Sequence, residues 1–331
     1  MTRTDDLEYE LAADYRSYHV DGSHYDIGVR TAGHSTTAIT PEAGIDLTPG
    51  ARAVAEESRE AVAGVFPELL EEFRGYAEAL DLPEADLYWH FAPGVEGACS
   101  AVALETDDGL LVGRNYDFFY DVTRRHLVYT TPEVGYAHVG THEGLVGGRF
   151  DGLNERGLFV AFTAAGEPDD SVAGMAFHLA VRYLLERCDS ARDALETLRS
   201  LPLREPKGYL LVDGDDAFVV EAHPERTAVR EPTAGVLALT NHFVDPAMTA
   251  YQPPWENSQR RYERLRALAT LESPGRDALE SALCDHDAPV CGHEDGLSTF
   301  WSCVAEPGAG TVTYALGAPC RNAYAWRVDL L

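Results

Sequence analysis

Apolar residues recur at Val62, Val65, Phe66, Leu69, Leu70, Phe73, Tyr76, Ala77 and Leu80. This one-faced period of 3.6 predicts helix over residues 50–80. Thr48-Pro49 supplies its start, with Thr as the cap and Pro at the first helical position. Pro67 predicts a break within it. Upstream, residues 17–33 read as a short strand and turn, and Pro83 opens a further helical turn toward Trp89. After Pro93-Gly94 the pattern changes to strands. Cys99–Glu105 and Leu110–Tyr116 flank the turn Thr106-Asp107-Asp108-Gly109, and Gly147–Ala165 holds a strand pair with Asn154-Glu155-Arg156-Gly157 at its tip. Met175–Arg187 and Ser190–Ser200 are predicted helices, the second capped by Ser190. Tyr209–Val212 and Ala217–Glu221 form a hairpin, Val236–Leu239 a strand, Ser258–Thr270 an arginine-rich helix, and Thr299–Ala305 with Gly310–Leu316 a last hairpin. Strands arriving as hairpins argue for an α+β fold of antiparallel sheets covered by helices, and against alternating βαβ units.

Composition sharpens this. The chain has 331 residues, 45 % of them hydrophobic, which is ample for a core and excludes global disorder. It carries 55 acidic against 26 basic residues, a net charge of −29. Lys207 is its single lysine, and isoleucine occurs only at Ile27, Ile39 and Ile45. So negative a surface repels phosphate backbones, which excludes nucleic acid as a partner. The lysine-poor, carboxylate-rich composition resembles that of proteins from salt-accumulating halophiles, a matter of solvent rather than catalysis. No segment reaches the ~18–20 apolar residues of a membrane span, and the first twenty residues lack the apolar core of a secretory signal. The expectation is a cytoplasmic protein without a membrane partner. Its six scattered cysteines (99, 188, 284, 291, 303 and 320) do not call for a disulfide framework.

Candidate chemistry gathers on one hairpin. A turn centred near Asp108 brings Cys99 opposite the region of Asp117, with Arg114 a few residues along. An Arg–Asp pair beside a thiol can orient it and favour thiolate, the reactive form. Cys99-Ser100-Ala101, the Asp-Gly turn and Gly113-Arg114-Asn115-Tyr116-Asp117 resemble the start of the mature chain in N-terminal nucleophile (Ntn) hydrolases. The similarity is to the carcinine hydrolase/isopenicillin-N acyltransferase family, and more loosely to the choloylglycine/penicillin V acylase group. Asp151-Gly152-Leu153-Asn154-Glu155-Arg156-Gly157-Leu158, Leu239-Thr240-Asn241, Arg261-Tyr262-Glu263-Arg264, Trp301-Ser302-Cys303-Val304 and Leu316-Gly317-Ala318-Pro319-Cys320 extend it over residues 17–330. The long segment before Cys99 resembles the acyltransferase branch, whose nucleophile follows a prosegment.

The resemblance implies a four-layer αββα sandwich. It implies residues 1–98 as a mostly helical prosegment and 99–331 as the catalytic chain, separated by self-cleavage between Ala98 and Cys99. The freed α-amino group of Cys99 would serve as base for its own thiol. Arg114 and Asp117 would hold amine and thiol, Asn241 would donate to the oxyanion, and Arg261 would complete the charged network. A second oxyanion donor is expected at the backbone of Ala164. Tyr116, Phe118, Phe119 and Tyr120, around and just past Asp117, are candidates for an acyl-pocket wall. The activity implied is cleavage of a linear amide through an S-acyl enzyme, without a cofactor, the acyl group passing to water or an amine. The partners expected are a small-molecule amide and the cleaved N-terminal fragment; a homo-oligomer is compatible with the sequence.

Two other readings stand beside this one. One is a choloylglycine-type hydrolase of N-acyl amides or lactones. The other is a zinc-stabilised binding protein with an inert Cys99, suggested by Cys284-Asp285-His286 and Cys291-Gly292-His293. The Cys-x-His spacing is tighter than the usual ligand pair, and the stretch resembles a family loop that is no metal site, so no metal is expected. His138 and His142 read as surface residues.

Overall fold

The computed structural model describes residues 5–34, 47–93, 97–119, 124–167, 169–252, 255–293 and 296–331. The strands in chain order are β1 (Asp14–Gly22), β2 (Ala98–Thr106), β3 (Gly109–Phe119), β4 (Arg124–Pro132), β5 (His138–His142), β6 (Asp151–Asn154) and β7 (Phe159–Ala164). They continue with β8 (Lys207–Val212), β9 (Ala217–His223), β10 (Arg226–Arg230), β11 (Val236–Leu239), β12 (Leu297–Glu306), β13 (Thr311–Leu316) and β14 (Trp326–Asp329). Eight strands form one sheet in the order β1-β4-β5-β6-β7-β8-β9-β10, and six form the other in the order β11-β2-β3-β12-β13-β14. Only β1 and β4 run parallel; every other strand pairing within the two sheets is antiparallel.

The helices are α1 (Asp5–Ala12), α2 (His24–Gly33), α3 (Pro49–Val65), α4 (Pro67–Ala79), α5 (Phe177–Arg187), α6 (Ala191–Ser200), α7 (Glu256–Arg266) and α8 (Arg276–Leu283). The predicted break at Pro67 is real: α3 stops at Val65 and α4 restarts at Pro67. Thr48 caps α3, its Oγ1 accepting from the Ala51 N–H at 3.2 Å, and Ser190 caps α6 in the same way. Residues 17–33, expected as strand and turn, instead divide between β1 and the helix α2. A capping box at Ser23 and Asp26 starts that helix.

Helices α5 and α6 pack on the larger sheet, and α7 and α8 on the smaller one. The two sheets face each other through residues such as Ala101, Tyr116, Phe162, Tyr209 and Trp301. Val102, Leu104, Val236 and Val304 point the other way, onto Leu265, Leu279 and Leu283 of the outer helices. This is the expected αββα layering, an α+β sandwich. The segment before Cys99 contributes an edge strand to the larger sheet through β1, while Val62, Phe66, Leu69 and Phe73 enter the main core. No helix among the described residues is long and apolar enough to cross a membrane.

Candidate active site

The hairpin β2–β3 turns through a two-residue loop, Asp107-Asp108, with Thr106 paired to Gly109. Gly109 adopts φ +118°, a region open to glycine, and Thr106 Oγ1 donates to its carbonyl at 2.7 Å. This loop sets the register. Cys99 lies opposite Tyr116, Ala98 opposite Asp117, and Ala101 opposite Arg114. The expected pairing of Cys99 with Asp117 is therefore off by one residue. That slip decides which face each side chain occupies, because strand side chains alternate.

Cys99, Arg114 and Tyr116 share the inner face between the sheets; Ser100, Asn115 and Asp117 lie on the outer face beneath α7 and α8. Asn115 shows the outward direction, its Nδ2 donating to the carbonyls of Leu283 and Val290 at 2.8 and 2.9 Å. Arg114 and Asp117, three positions apart, therefore cannot pair as one unit. The carboxylate facing Arg114 is Asp151, 3.6 Å from its Nε. Asp151 also accepts from Trp301 Nε1 at 2.7 Å and from Thr141 Oγ1 at 2.8 Å. Asp117 instead accepts from Thr299 Oγ1 at 2.5 Å and feels the charge of Arg261. Burial pushes its carboxyl up to about 6 against the opposing pull of Arg261, Thr299 and Arg114.

Arg261 comes from α7 and is fully buried. Its Nη1 donates to the Cys99 carbonyl and, at 3.1 Å, to Ser100 Oγ, while its Nη2 donates to Asn241 Oδ1 at 2.9 Å. Asn257, one turn earlier, holds Nε at 2.7 Å. Asn241, just past β11, completes the junction. Its Oδ1 accepts from the backbone N–H of Cys99 at 2.6 Å, and its Nδ2 donates to the carbonyls of Gly97 and Ala164 at 3.0 and 2.8 Å. Ala164 thus meets the site through its carbonyl, where a backbone donor was expected. The Cys99 thiol is 1 % exposed, and burial raises its pKa; Arg114 and the Asp117 N–H pull the other way without prevailing.

Tyr116 stacks on Trp301 with ring centroids 4.2 Å apart. Phe118 packs edge-on to Phe300, and Phe119 is 43 % exposed; Tyr120 lies outside the described residues. His138 and His142, expected at the surface, are buried on β5. Two participants have no separate signal in the sequence, and a third, Asp151, stands in the motif Asp151–Leu158 without a role assigned there. Asp151 and Thr299 reach the site only through long-range strand pairing. Glu143, whose carboxyl burial beside Tyr116 pushes up to about 8, follows β5 in a stretch with no motif. Asn257 was legible in principle, standing four residues before Arg261 on one helix face.

The model of the acyl-coenzyme A:6-aminopenicillanic acid acyl-transferase family matches residues 104–321. The acyl-coenzyme A:6-aminopenicillanic-acid-acyltransferase 40 kDa form of Emericella nidulans is 25 % identical over 276 residues, 77 % of this chain and 76 % of that protein. Among solved structures, the N-acylethanolamine-hydrolyzing acid amidase ortholog of Caenorhabditis elegans superposes with a TM-score of 0.50 at 14 % identity. That match covers 70 % of this chain and all of the other. The conjugated bile acid hydrolase of Clostridium perfringens gives 0.48 at 16 % identity, over 66 % of this chain and 89 % of that one. The sandwich agrees with the first of these folds, and with more than half of its length matched, the chain belongs to the acyl-coenzyme A:6-aminopenicillanic acid acyl-transferase family.

Proposed function

We propose that this enzyme is a cysteine N-terminal nucleophile amidase/acyltransferase that activates itself by cleavage between Ala98 and Cys99. The observation that carries the reading is the treatment of the nucleophile's own nitrogen. Cys99 N donates to Asn241 Oδ1 at 2.6 Å, and Arg261 ties that oxygen to the Cys99 carbonyl. A buried structural thiol has no use for such an arrangement; a residue whose α-amine acts as a base does.

In the first step the Cys99 thiol adds to the Ala98 carbonyl. The Ala98–Cys99 C–N bond breaks as the nitrogen takes up the proton, leaving a thioester and an amine. Water hydrolyses the thioester, giving the Ala98 carboxylate, a free thiol and a free α-amine. That amine has an ordinary pKa of about 7.7–8.0, suited to accept a thiol proton at neutral pH. Release of residue 98 also frees Asn241 Nδ2 from the Gly97 carbonyl, so the donor can turn to a substrate oxyanion. The thiolate then attacks a linear amide, the amine leaves with the proton, and the S-acyl enzyme passes its acyl group to water or to another amine.

The test is the mass of the purified protein. Wild type should give two co-purifying pieces, residues 1–98 and 99–331, whereas Cys99→Ala should give one intact chain. Two pieces from Cys99→Ala would assign the cut to an outside protease; an intact, active wild type would refute self-cleavage. Product analysis with and without an added amine distinguishes hydrolysis from transfer.

A further inference from the structure

Outside the Cys99 site, His286, Cys291, His293 and Cys320 bring one ligand atom each to within 4.8 Å of one another. They come from separate places in the chain. His286, Cys291 and His293 follow α8 and precede β12, while Cys320 lies in the turn after β13. The cluster differs from the one suspected in the sequence, because Cys320 takes the place of Cys284.

The four side chains crowd one another closely. His293 Nε2 stands 3.3 Å from Cys291 Sγ and 3.3 Å from Cys320 Sγ. The Cys320 sulfur interacts with Cys291, His293 and His286 alike, so the four groups converge on one centre. His286 Nε2 is itself buried. Cys291 and His293 are buried, and His286 and Cys320 are half-buried. A tetrahedral zinc ion, with Zn–S near 2.3 Å and Zn–N near 2.0–2.1 Å, sets its ligand atoms about 3.3–3.8 Å apart. Two of the observed separations already fall at that spacing. Two thiolates and two imidazoles form a set that suits zinc and discriminates against magnesium and calcium.

We propose that His286, Cys291, His293 and Cys320 bind one structural zinc ion. With four protein ligands the site is closed, leaving no open position for substrate or water. The ion's effect is mechanical. It ties the loop after α8 to the exit of β13, and that loop abuts the catalytic hairpin. Gly292, between two of the ligands, accepts from the Thr299 N–H at 3.2 Å and donates to Thr299 Oγ1 at 2.9 Å. Thr299 Oγ1 in turn donates to Asp117. A Cβ on Gly292 would lie 3.1 Å from Asp117 Cγ, so any relaxation of the loop is felt at that carboxyl. Zinc therefore positions Asp117 without touching the reacting atoms.

The experiment is elemental analysis of the full chain, expressed with zinc supplied and purified without chelators. The expected result is about one zinc per chain, lost in Cys320→Ser and in His293→Ala but kept in Cys284→Ala, a thiol nearby that the cluster excludes. Should the ligand variants fail to fold, cobalt exchange into wild type gives an independent answer. A tetrahedral site with two thiolates shows strong visible absorption and a thiolate-to-cobalt charge-transfer band. Metal-free wild type with no cobalt spectrum would overturn the proposal. So would a Cys291–Cys320 disulfide in a non-reducing peptide map, or zinc retained when both cysteines are replaced.

Discussion

Asn241 is the residue on which the site turns, since its single amide serves four partners at once: Cys99 N, Arg261, and the carbonyls of Gly97 and Ala164. In the proposed enzyme its Nδ2 acts mainly when charge develops on the substrate oxygen, so its removal should strike the chemical step rather than binding. Asn241→Ala, introduced so that processing can be scored separately, should lower kcat about 10²–10³-fold with little change in KM. Steady-state kinetics decides this; a change confined to KM would make Asn241 a substrate contact. The neighbouring charges show how much a single position can hide. The sequence exposes Arg114 and Asp117 as a pair, but a separation of three along a strand sends them to opposite faces. Arg114 then finds Asp151, and Asp117 finds Thr299 and Arg261. The motif was legible as chemistry and misread as geometry, because a two-residue loop and a one-residue register decide the face.

At the scale of elements, local signals carried far. Proline and threonine marked the start of α3 and the break before α4, and Asp-Asp-Gly marked the β2–β3 turn. Strands without turn signals of that kind, β4, β5, β10 and β14, went unseen, as did the short helices α1 and α8. Helix α2 was hidden for a related reason. Its apolar face is short, and its stability comes from a close crossing with α4. Gly28 on α2 faces the Glu72 carbonyl, where a Cβ would sit 2.0 Å away, and Gly75 on α4 faces the Tyr25 carbonyl, where it would sit 2.2 Å away. Backbone cannot retreat as a flexible side chain can, so the crossing admits only glycine. Gly64 in α3 lies in ordinary helix, and a methyl group added there would have nothing within 4 Å. The two positions should therefore respond with opposite sign. Gly28→Ala should destabilise by about 1–3 kcal/mol or more through overpacking. Gly64→Ala should stabilise by about 0.5–1 kcal/mol through helix propensity. Urea titrations of the two variants test the crossing; a neutral Gly28→Ala would mean that α2 and α4 can move apart freely.

For the whole molecule, charge is the dominant fact, and burial shows where it resides. Among the described residues the interior holds seven basic side chains (six arginines and Lys207) and eight acidic ones. The described interior is close to neutral, so it accounts for almost none of the −29 imbalance. Exposed arginines such as Arg30, Arg74 and Arg192 are already engaged with Asp21, Glu71 and Asp216. Such pairs are worth little individually and leave the excess carboxylates to repel one another. The unfolded chain spreads those charges apart, so repulsion acts against the folded state. Salt should relieve it. Between about 0.1 M and about 1 M the Debye length falls from about 10 Å to about 3 Å, which reaches even neighbouring carboxylates. The melting temperature should therefore climb steadily across a KCl series into the molar range. An acidic protein with sparse surface charge would level off near physiological ionic strength, because its charges already stand farther apart than the screening length there. Sucrose at matched water activity, which strengthens burial without screening, should give a smaller rise. A melting temperature flat from about 0.1 M to about 3 M KCl would show that the carboxylate excess costs the fold nothing, and would leave the chemistry at Cys99 unaffected.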